Sequence, residues 1–417
     1  MLCPFGQSNG GKGVITIVLI KIPKIIAKVL FIVCALLLVL GLISARALPP
    51  FLLAGGTDDI DLPLRVPLIA KANTPITNGS YTASVNLFGI IPIGQTQVNI
   101  VDDDYVVVGG TPFGIKIMSQ GVLVVGFNDI PSQNGNINPA KKAGVKEGDI
   151  VLAINNQTVS TNTRVQELVE QSAGAPMTLS VQRNGVNLQL TMIPVLAPDG
   201  KYRAGMWVRD SAAGLGTMTF YHPASGMYGG LGHSVCDNDT GQTVSLLTGE
   251  IVTANVIEIK KAIPGRAGAI VGTLNSKQSL GDILSNCEQG IFGRLNAPPA
   301  VGQTMAVAHK QQVTTGGAQI LSCVDGTPRA YSCEIESIAF RTDSSQNLVI
   351  RITDQGLLSQ TGGIVQGMSG SPIIQNGKLV GAVTHVFVNT PNKGYGVFAE
   401  TMLQIAKDTA KQQKKAS

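Results

Sequence analysis

The stretch "QGMSGSPIIQNGKLVGAVTHVF", Gln366–Phe387, decides the fold. It sets Ser369 in a glycine-rich turn, and an apolar, strand-like run follows. A short Gly-Lys hairpin then leads into a second apolar run. Ser369 can be read as a nucleophile or as a small residue in a tight turn. Serine hydrolysis needs an activated hydroxyl, a base beside it and donors for the developing oxyanion. The glycines let the amides of Gly367 and Ser369 point at one spot, which makes them the candidate oxyanion hole. Position 371 is serine, so the turn is not a Gly-x-Ser-x-Gly elbow and an α/β-hydrolase is disfavoured.

The context resembles chymotrypsin-like serine proteases. Their pattern is Gly-x-Ser-Gly-Gly-Pro, a strand, a hairpin and another strand. "GMSGSPIIQNGKLVGAVTHVF" matches it with Ser371 in place of the second glycine, and "KGYGVFAE" matches the strand entering a closing helix. From Lys201 onward, short strands alternate with glycine-rich turns, and the chain ends in the amphipathic "AETMLQIAKDTAKQQKK". The expected fold class is mainly β, with a double β-barrel and a C-terminal helix over residues 197–417.

The base must come from four histidines: His222, His233, His309 and His385. His385 lies on the strand after the serine, where the fold builds its pocket wall. His309 sits in a plain strand context, "MAVAHKQQV". His233, in "GGLGHSVCDNDTG", lies upstream of the serine at a glycine-rich strand end. It best fits the order histidine first, serine last. The acid is open between Asp354, in "RITDQG", and Asp282, in "SLGDILS". Asp237 and Asp239 lie too near His233 to be favoured.

Residues 102–196 form a second module. "NPAKKAGVKEGDIVLAINNQTV" reads as a short helix, a turn and a strand. "TNTRVQELVEQS" follows as an amphipathic helix capped by Thr161 or Asn162, with Val165, Leu168 and Val169 on one face. "MTLSVQRNGVNLQLTMIPV" is a hairpin about Arg183-Asn184-Gly185. This order resembles a PDZ domain of the bacterial protease-associated type. Such domains add a peptide as a strand and hold its carboxylate on loop amides. "TPFGIKI" is the matching loop, so Phe113, Gly114 and Ile115 are the candidate peptide-binding residues. Residues 51–101 read as a linker and accessory strands.

The net charge of +5 is local, because Lys12, Lys21, Lys24, Lys28 and Arg46 all precede the first acid, Asp58. The remainder is neutral and has no basic-aromatic patch, so nucleic acid is not an expected partner. The same N-terminal segment, 1–50, carries the apolar run Val29–Ser44 behind four of these lysines. That is a signal or membrane-anchor helix with the later chain exported. Among six cysteines, Cys236, Cys287, Cys323 and Cys333 fall in the exported part. A bridge between Cys323 and Cys333 across a turn is one possible pairing. No Cys-x-x-Cys pair exists, so no metal or other cofactor is expected.

Together, the membrane segment, the PDZ module, "AGMWVRDSAAGLGTMTFY", "GGLGHSVCD" and "TGGIVQGMSGSPIIQNGKLVGAVTHVFVN" resemble the stage IV sporulation protein B peptidase family of endospore-forming bacteria. The resemblance implies Ser369 as nucleophile, His233 as base and Asp354 as the acid. It further implies a forespore protein facing the space between two membranes. There it would cleave itself, then a membrane-bound regulator of an intramembrane metalloprotease, which triggers sigma-factor processing in the mother cell. The competing expectations are a general envelope quality-control PDZ protease and an inactive PDZ adaptor.

Overall fold

The computed structural model describes residues 24–47, 51–54, 68–72, 80–87, 90–100, 103–132, 135–300, 302–341 and 344–416. Two units divide the chain, Met1–Ile100 and Val101–Ser417. In the first, helix α1 spans Lys24–Ala47 and contains the apolar run. Among the described residues, no helix is long and apolar enough to cross a membrane. Lys12, Lys21, Cys3, Asp58 and the polar stretch after Ala54 lie outside the described residues.

Strands β1 (Phe51–Ala54), β2 (Leu68–Ala72), β3 (Ser80–Leu87) and β4 (Ile91–Ile100) form one sheet in the order β1-β4-β3-β2. The alternation expected in this region is present. Ala83 and Val85 are buried between half-buried Thr82, Ser84 and Asn86, as a strand with one covered face requires.

The second unit begins with β5 (Tyr105–Val108) and the long β6 (Pro112–Phe127), then the small ladder β7 (Ile130–Ser132) and β8 (Gly135–Ile137). Helix α2 (Pro139–Lys142) starts at Asn138, whose side chain caps the Lys141 amide, and Pro139 supplies a pre-set first turn. Strands β9 (Ile150–Ile154) and β10 (Gln157–Thr158) precede helix α3 (Asn162–Gln171). The Thr161 side chain caps α3, and Val165, Leu168 and Val169 are its buried face, as the periodicity predicts. Strands β11 (Met177–Arg183) and β12 (Val186–Met192) pair about Asn184 and Gly185. Both of those residues have positive φ, the backbone of a two-residue hairpin turn.

These elements share one core that includes Val122, Val124, Val151, Ile154, Leu168 and Leu179. Each such side chain contributes about 1.5–3 kcal/mol when fully buried. Inside this module the Asp149 carboxylate is fully buried. It accepts two bonds from the Arg183 guanidinium at 2.7 Å and one from the Lys146 amide at 2.9 Å. The "KEGD" turn is therefore held by a satisfied ion pair.

A small ladder of β13 (Val195–Leu196) and β14 (Tyr202–Arg203) leads to the long β15 (Met206–His222), then β16 (Met227–Gly230), β17 (Leu246–Lys260), β18 (Ala269–Cys287) and β19 (Gly290–Leu295). Pairing runs β6–β17–β18–β19–β16–β15 and returns from β15 to β6, closing a six-stranded ring. Strand β5 pairs with β15, and β20 (Thr304–Ala306) with β5.

A second closed barrel follows: β21 (Gly316–Ser322), β22 (Arg329–Ile338), β23 (Leu348–Ile352), β26 (Lys393–Phe398), β25 (Lys378–Val386) and β24 (Pro372–Gln375). Helix α4 (Gln355–Thr361) leaves β23. Helix α5 (Ala399–Ala416) buries Ala399, Met402, Leu403, Ala406 and Ala410 against a core containing Phe220 and Phe292 of the first barrel and Leu379 and Val397 of the second. That spacing is one face of a helix, so α5 seals the seam between the barrels.

Two strands serve two modules each. The start of β6 lies in the first barrel, while its end, past Gly121, pairs with β9 of the PDZ module. Gly121 has φ +81, and a Cβ there would stand 2.8 Å from the Val151 carbonyl oxygen, so only glycine fits this crossing. Strand β15 likewise starts beside α3 and ends in the first barrel.

Candidate active site

The turn Gln366–Ser371 joins the two barrels. The Thr217 amide on β15 donates to the Ser369 carbonyl at 2.8 Å. The Thr217 hydroxyl donates to the Gly367 carbonyl at 2.7 Å, and the Thr219 hydroxyl to the Gly370 carbonyl at 2.8 Å. From the other side, the Gly370 amide donates to the Val383 carbonyl at 2.7 Å. Gly367 and Gly370 hold φ +97 and +93, conformations closed to other residues without strain. Every carbonyl from Gly367 to Gly370 that the turn directs toward β15 is thus satisfied. Among the described residues, the amides of Gly367 and Ser369 donate to no backbone carbonyl, a condition that oxyanion-hole donors must meet. Ser371 is fully buried and its hydroxyl has no partner among the described residues, consistent with a small residue lining the turn.

His233 follows a strained corner after β16. Leu231 has φ +67, rare for a branched side chain, and Gly232 has φ +72. A Cβ at Gly232 would lie 2.9 Å from the Val383 carbonyl, and one at Gly370 would lie 2.5 Å from the Leu231 amide nitrogen. The serine turn and the histidine corner are therefore in direct backbone contact. His233 Nδ1 lies 2.8 Å from the Ser234 carbonyl. A carbonyl only accepts, so Nδ1 carries the proton and Nε2 keeps the lone pair that a base requires. The His385 ring packs on it at 4.7 Å between centroids. Burial pushes the His233 imidazole down to about 4; the Ser234 carbonyl opposes this and His385 adds to it.

The two groups are close in the fold but not joined by a hydrogen bond. The Ser369 hydroxyl donates to the Thr384 carbonyl at 2.9 Å instead. His222 and His309 have structural partners, Ser225 and Glu400, which leaves His233 and His385, in ring contact with each other, as the remaining candidates.

The acid is where expectation and structure part. Asp354 is the N-cap of α4, and its carboxylate accepts the Leu357 amide at 2.8 Å. Among the described residues, no hydrogen bond or ion pair joins it to His233. An aspartate before a short helix is satisfied locally by the orphan amides of the first turn. Asp282 is exposed on β18, opposite Glu250 and Arg294, and is likewise unattached to His233. The buried Asp237 carboxylate is engaged by Arg209 and by its own loop.

The expected peptide-binding residues also fall elsewhere. Phe113 and Ile115 are buried in the first barrel with Tyr228 and Ile251. Gly114 sits between Leu215 of β15 and Val252 of β17, so a 102–196 boundary places barrel residues in the PDZ module. The groove that the module does present runs between α3 and the start of β15. It encloses about 400 Å³ and is lined by Ile130, Val165, Val169, Tyr202, Met206 and Trp207. Its rim turns at Gly205, φ +77, just before the strand. The signal in the sequence was "RAGMWV", a small-residue turn entering an apolar strand.

The cysteine bridge is absent as well. Cys236, Cys287, Cys323 and Cys333 are all free thiols. Cys333 pairs opposite Ala318, while Cys323 lies beyond the Ser322–Arg329 pair, so the two are out of register. Burial pushes the Cys333 thiol up to about 12.

With the geometry in place, comparison with known proteins adds the following. Residues 200–403 match the family model "SpoIVB peptidase S55", and residues 138–183 match "PDZ domain". "Probable protease eep" of Enterococcus faecalis is 36% identical over 89 residues, 21% of this chain and 21% of that protein. "Pro-apoptotic serine protease NMA111" of Eremothecium gossypii is 40% identical over 50 residues, 12% of this chain and 5% of that one. The chain thus spans about a fifth or less of the length of either relative. Among solved structures, the PDZ domain of an SdrC-like protein from Listeria monocytogenes is 14% identical, with TM-score 0.18 over 21% of this chain and 87% of that chain. An HtrA-type protease, AlgW, with a decapeptide is 10% identical, with TM-score 0.30 over 50% of this chain and 54% of that one.

Proposed function

With a SpoIVB-type S55 serine peptidase over residues 200–403 and a PDZ domain at 138–183 as the premise, we propose that the chain is an exported sporulation endopeptidase. It cleaves itself and then a membrane-bound regulator, with segment 1–50 as signal or anchor and the catalytic part facing the intermembrane space. Ser369 is the nucleophile and His233 the base. The observation that carries the chemistry is the backbone contact between the Ser369 turn and the Gly232–His233 corner.

In the reaction, the Ser369 hydroxyl turns from the Thr384 carbonyl toward His233. Its oxygen attacks the scissile carbonyl carbon as Nε2 takes the proton. The amides of Gly367 and Ser369 receive the oxyanion. The imidazolium then gives its proton to the leaving amine as the C–N bond breaks, and water, activated by the same imidazole, releases the acyl group from Ser369. Orientation of the ring comes from the Ser234 carbonyl on Nδ1, in the place an acid fills in a triad. The PDZ groove along α3 and β15 would take an extended segment of substrate or of a second copy.

Active-site labelling with a fluorophosphonate tests the chemistry, and mass spectrometry of the N-terminus tests self-cleavage. Ser369→Ala should abolish both while folding normally. Equal trimming of this variant, with no other protease present, removes Ser369 from the mechanism. The separation of the Ser369 hydroxyl from His233 favours one second reading, an inactive PDZ adaptor, which predicts no labelling of the wild type at all. Broad digestion of casein would instead point to general quality control.

A further inference from the structure

We propose that His385 is a specificity-determining residue of the peptidase site, which seats a carboxylate side chain on the substrate residue whose carbonyl Ser369 attacks. The inference rests on the serine-peptidase reading above and deepens it by naming the substrate class.

The backbone fixes where His385 stands. On β25, the Val383 carbonyl accepts the Gly370 amide at 2.7 Å, and the Thr384 carbonyl accepts the Ser369 hydroxyl at 2.9 Å. His385 is the next residue along the strand. The pairing of β25 with β26 slips at this point. Val383 faces Gly396 and Val386 faces Gly394, so Thr384 and His385 together oppose a single residue. Such a bulge re-aims a side chain. Thr384 is buried, with its hydroxyl on the Ser345 carbonyl at 3.0 Å. His385 is exposed, and its ring meets that of His233 at 4.7 Å between centroids, tilted by 34°. An imidazole open to solvent therefore stands against the base, one residue from the carbonyl that holds the nucleophile.

No structural bond accounts for this ring. His222 bonds Ser225, and His309 bonds Glu400. Among the described residues, the His385 side chain makes no hydrogen bond or ion pair, and its titratable contact is His233. Lys393, on the neighbouring strand, is committed to Glu336 at 2.8 Å. Crowding by the protein pushes the His385 imidazole below its ordinary value, while part of the residue stays open to solvent.

A neutral imidazole offers one N–H donor. The partner that His385 lacks is an acceptor, and among peptide side chains an ionised carboxylate is the strongest. The base makes the same demand. Attack turns His233 into an imidazolium, which burial disfavours in the free protein. A negative charge within about 4–6 Å favours the charged form of an imidazole. A glutamate side chain held by His385 brings that charge against His233 as the substrate binds. An amide of the same shape accepts the bond but carries no charge, and an apolar side chain does neither. The nearest side chain to this ring is the one beside the scissile bond, because the Thr384 carbonyl already touches the nucleophile.

The test uses the full chain and a set of peptidyl diphenyl phosphonates, identical save for a glutamate, glutamine or leucine side chain on the reacting residue. A plain fluorophosphonate, with no such side chain, reports Ser369 alone. The wild type should label with the glutamate probe about 10–100-fold faster than with the others, the scale of one charge-assisted hydrogen bond. His385→Leu should lose that preference. His385→Arg, another donor to carboxylates, should keep glutamate ahead of glutamine. Ratios between probes cancel any general loss of rate, so a merely structural histidine would leave the preference intact in His385→Leu, and that result overturns the proposal. So does a wild type that labels with the glutamine or leucine probe as fast as with glutamate, or one that takes the fluorophosphonate and none of the peptidyl probes. If the fluorophosphonate labels Ser369→Ala as fast as wild type, the serine-peptidase reading fails, and this proposal with it.

Discussion

Gly370→Ala probes the junction on which the site depends. Gly370 holds φ +93, and a Cβ built there would lie 2.0 Å from the Thr217 carbonyl oxygen and 2.5 Å from the Leu231 amide nitrogen. Both are backbone atoms in paired strands or corners and cannot swing aside. Since real Cβ contacts essentially never fall under 3.0 Å, the turn must retreat by about 1 Å, the scale of misplacement that costs about 10²-fold in rate. That retreat stretches three bonds: Thr217 amide to Ser369 carbonyl, Thr219 hydroxyl to Gly370 carbonyl, and Gly370 amide to Val383 carbonyl. At about 1 kcal/mol each, plus about 1–2 kcal/mol for a side chain at positive φ, the cost is about 4–5 kcal/mol. That is a large share of the 5–15 kcal/mol typical of whole domains.

Urea unfolding and fluorophosphonate labelling measure the two consequences. Gly377→Ala is the control: it too has positive φ, +73, but nothing lies within 4 Å of its added Cβ. It should cost only the backbone part, about 1–2 kcal/mol, and leave labelling at the wild-type rate. If Gly370→Ala unfolds at the wild-type midpoint and labels normally, the turn is not packed as described.

Two further outcomes follow from the same geometry. Asp354→Asn should keep both the α4 cap and the labelling rate, because asparagine caps as well as aspartate, while Asp354→Ala should cost about 1 kcal/mol of stability; a drop of about 10⁴ in turnover for Asp354→Asn would instead mark it as an orienting acid. Because burial sets the His233 imidazole near 4, the acid limb of kcat/KM should lie far below the ordinary histidine value of about 6.5. The folded state keeps this ring neutral and the unfolded state protonates it first, so its stabilising contribution is complete above about 6.5 and fades as pH falls toward 4; an acid limb at 6.5 or higher refutes the burial.

What was legible in the sequence follows locality. The serine turn, the Asn184-Gly185 hairpin and the Thr161 cap are each dictated by a few adjacent residues with special backbone needs, so they stand in the sequence as they stand in the fold. Phe113 and Ile115 were misplaced for the opposite reason. Alternation identifies a strand with a buried face, but not which sheet buries it, and β6 belongs to two. Asp354 shows a different ambiguity: an aspartate three residues before Leu357 is equally the pattern of a helix cap, and capping is the cheaper way to satisfy the carboxylate. The groove went unseen because its edge, Met206–Val208, reads as part of a barrel strand, and only the pairing with β6 shows where β15 changes modules.

The fused strands bear directly on how the site can work. A base near pKa 4, with its Nδ1 proton on a neighbouring carbonyl rather than a carboxylate, is poorly matched to proton transfer at neutral pH. The serine hydroxyl is also held by Thr384. On the proposed mechanism, activity requires a change that turns the hydroxyl and makes the imidazolium less costly, by a shift of the loop or by substrate charge arriving beside it. Modules joined by a flexible linker would transmit little of such a change. Here β6 and β15 each run as one strand from the PDZ module into the barrel, with their pairing shifted in register at Trp207/Val208 and Arg209/Ser211, where they change modules. The continuity of these two strands is why binding in the groove and chemistry at Ser369 should be measured together.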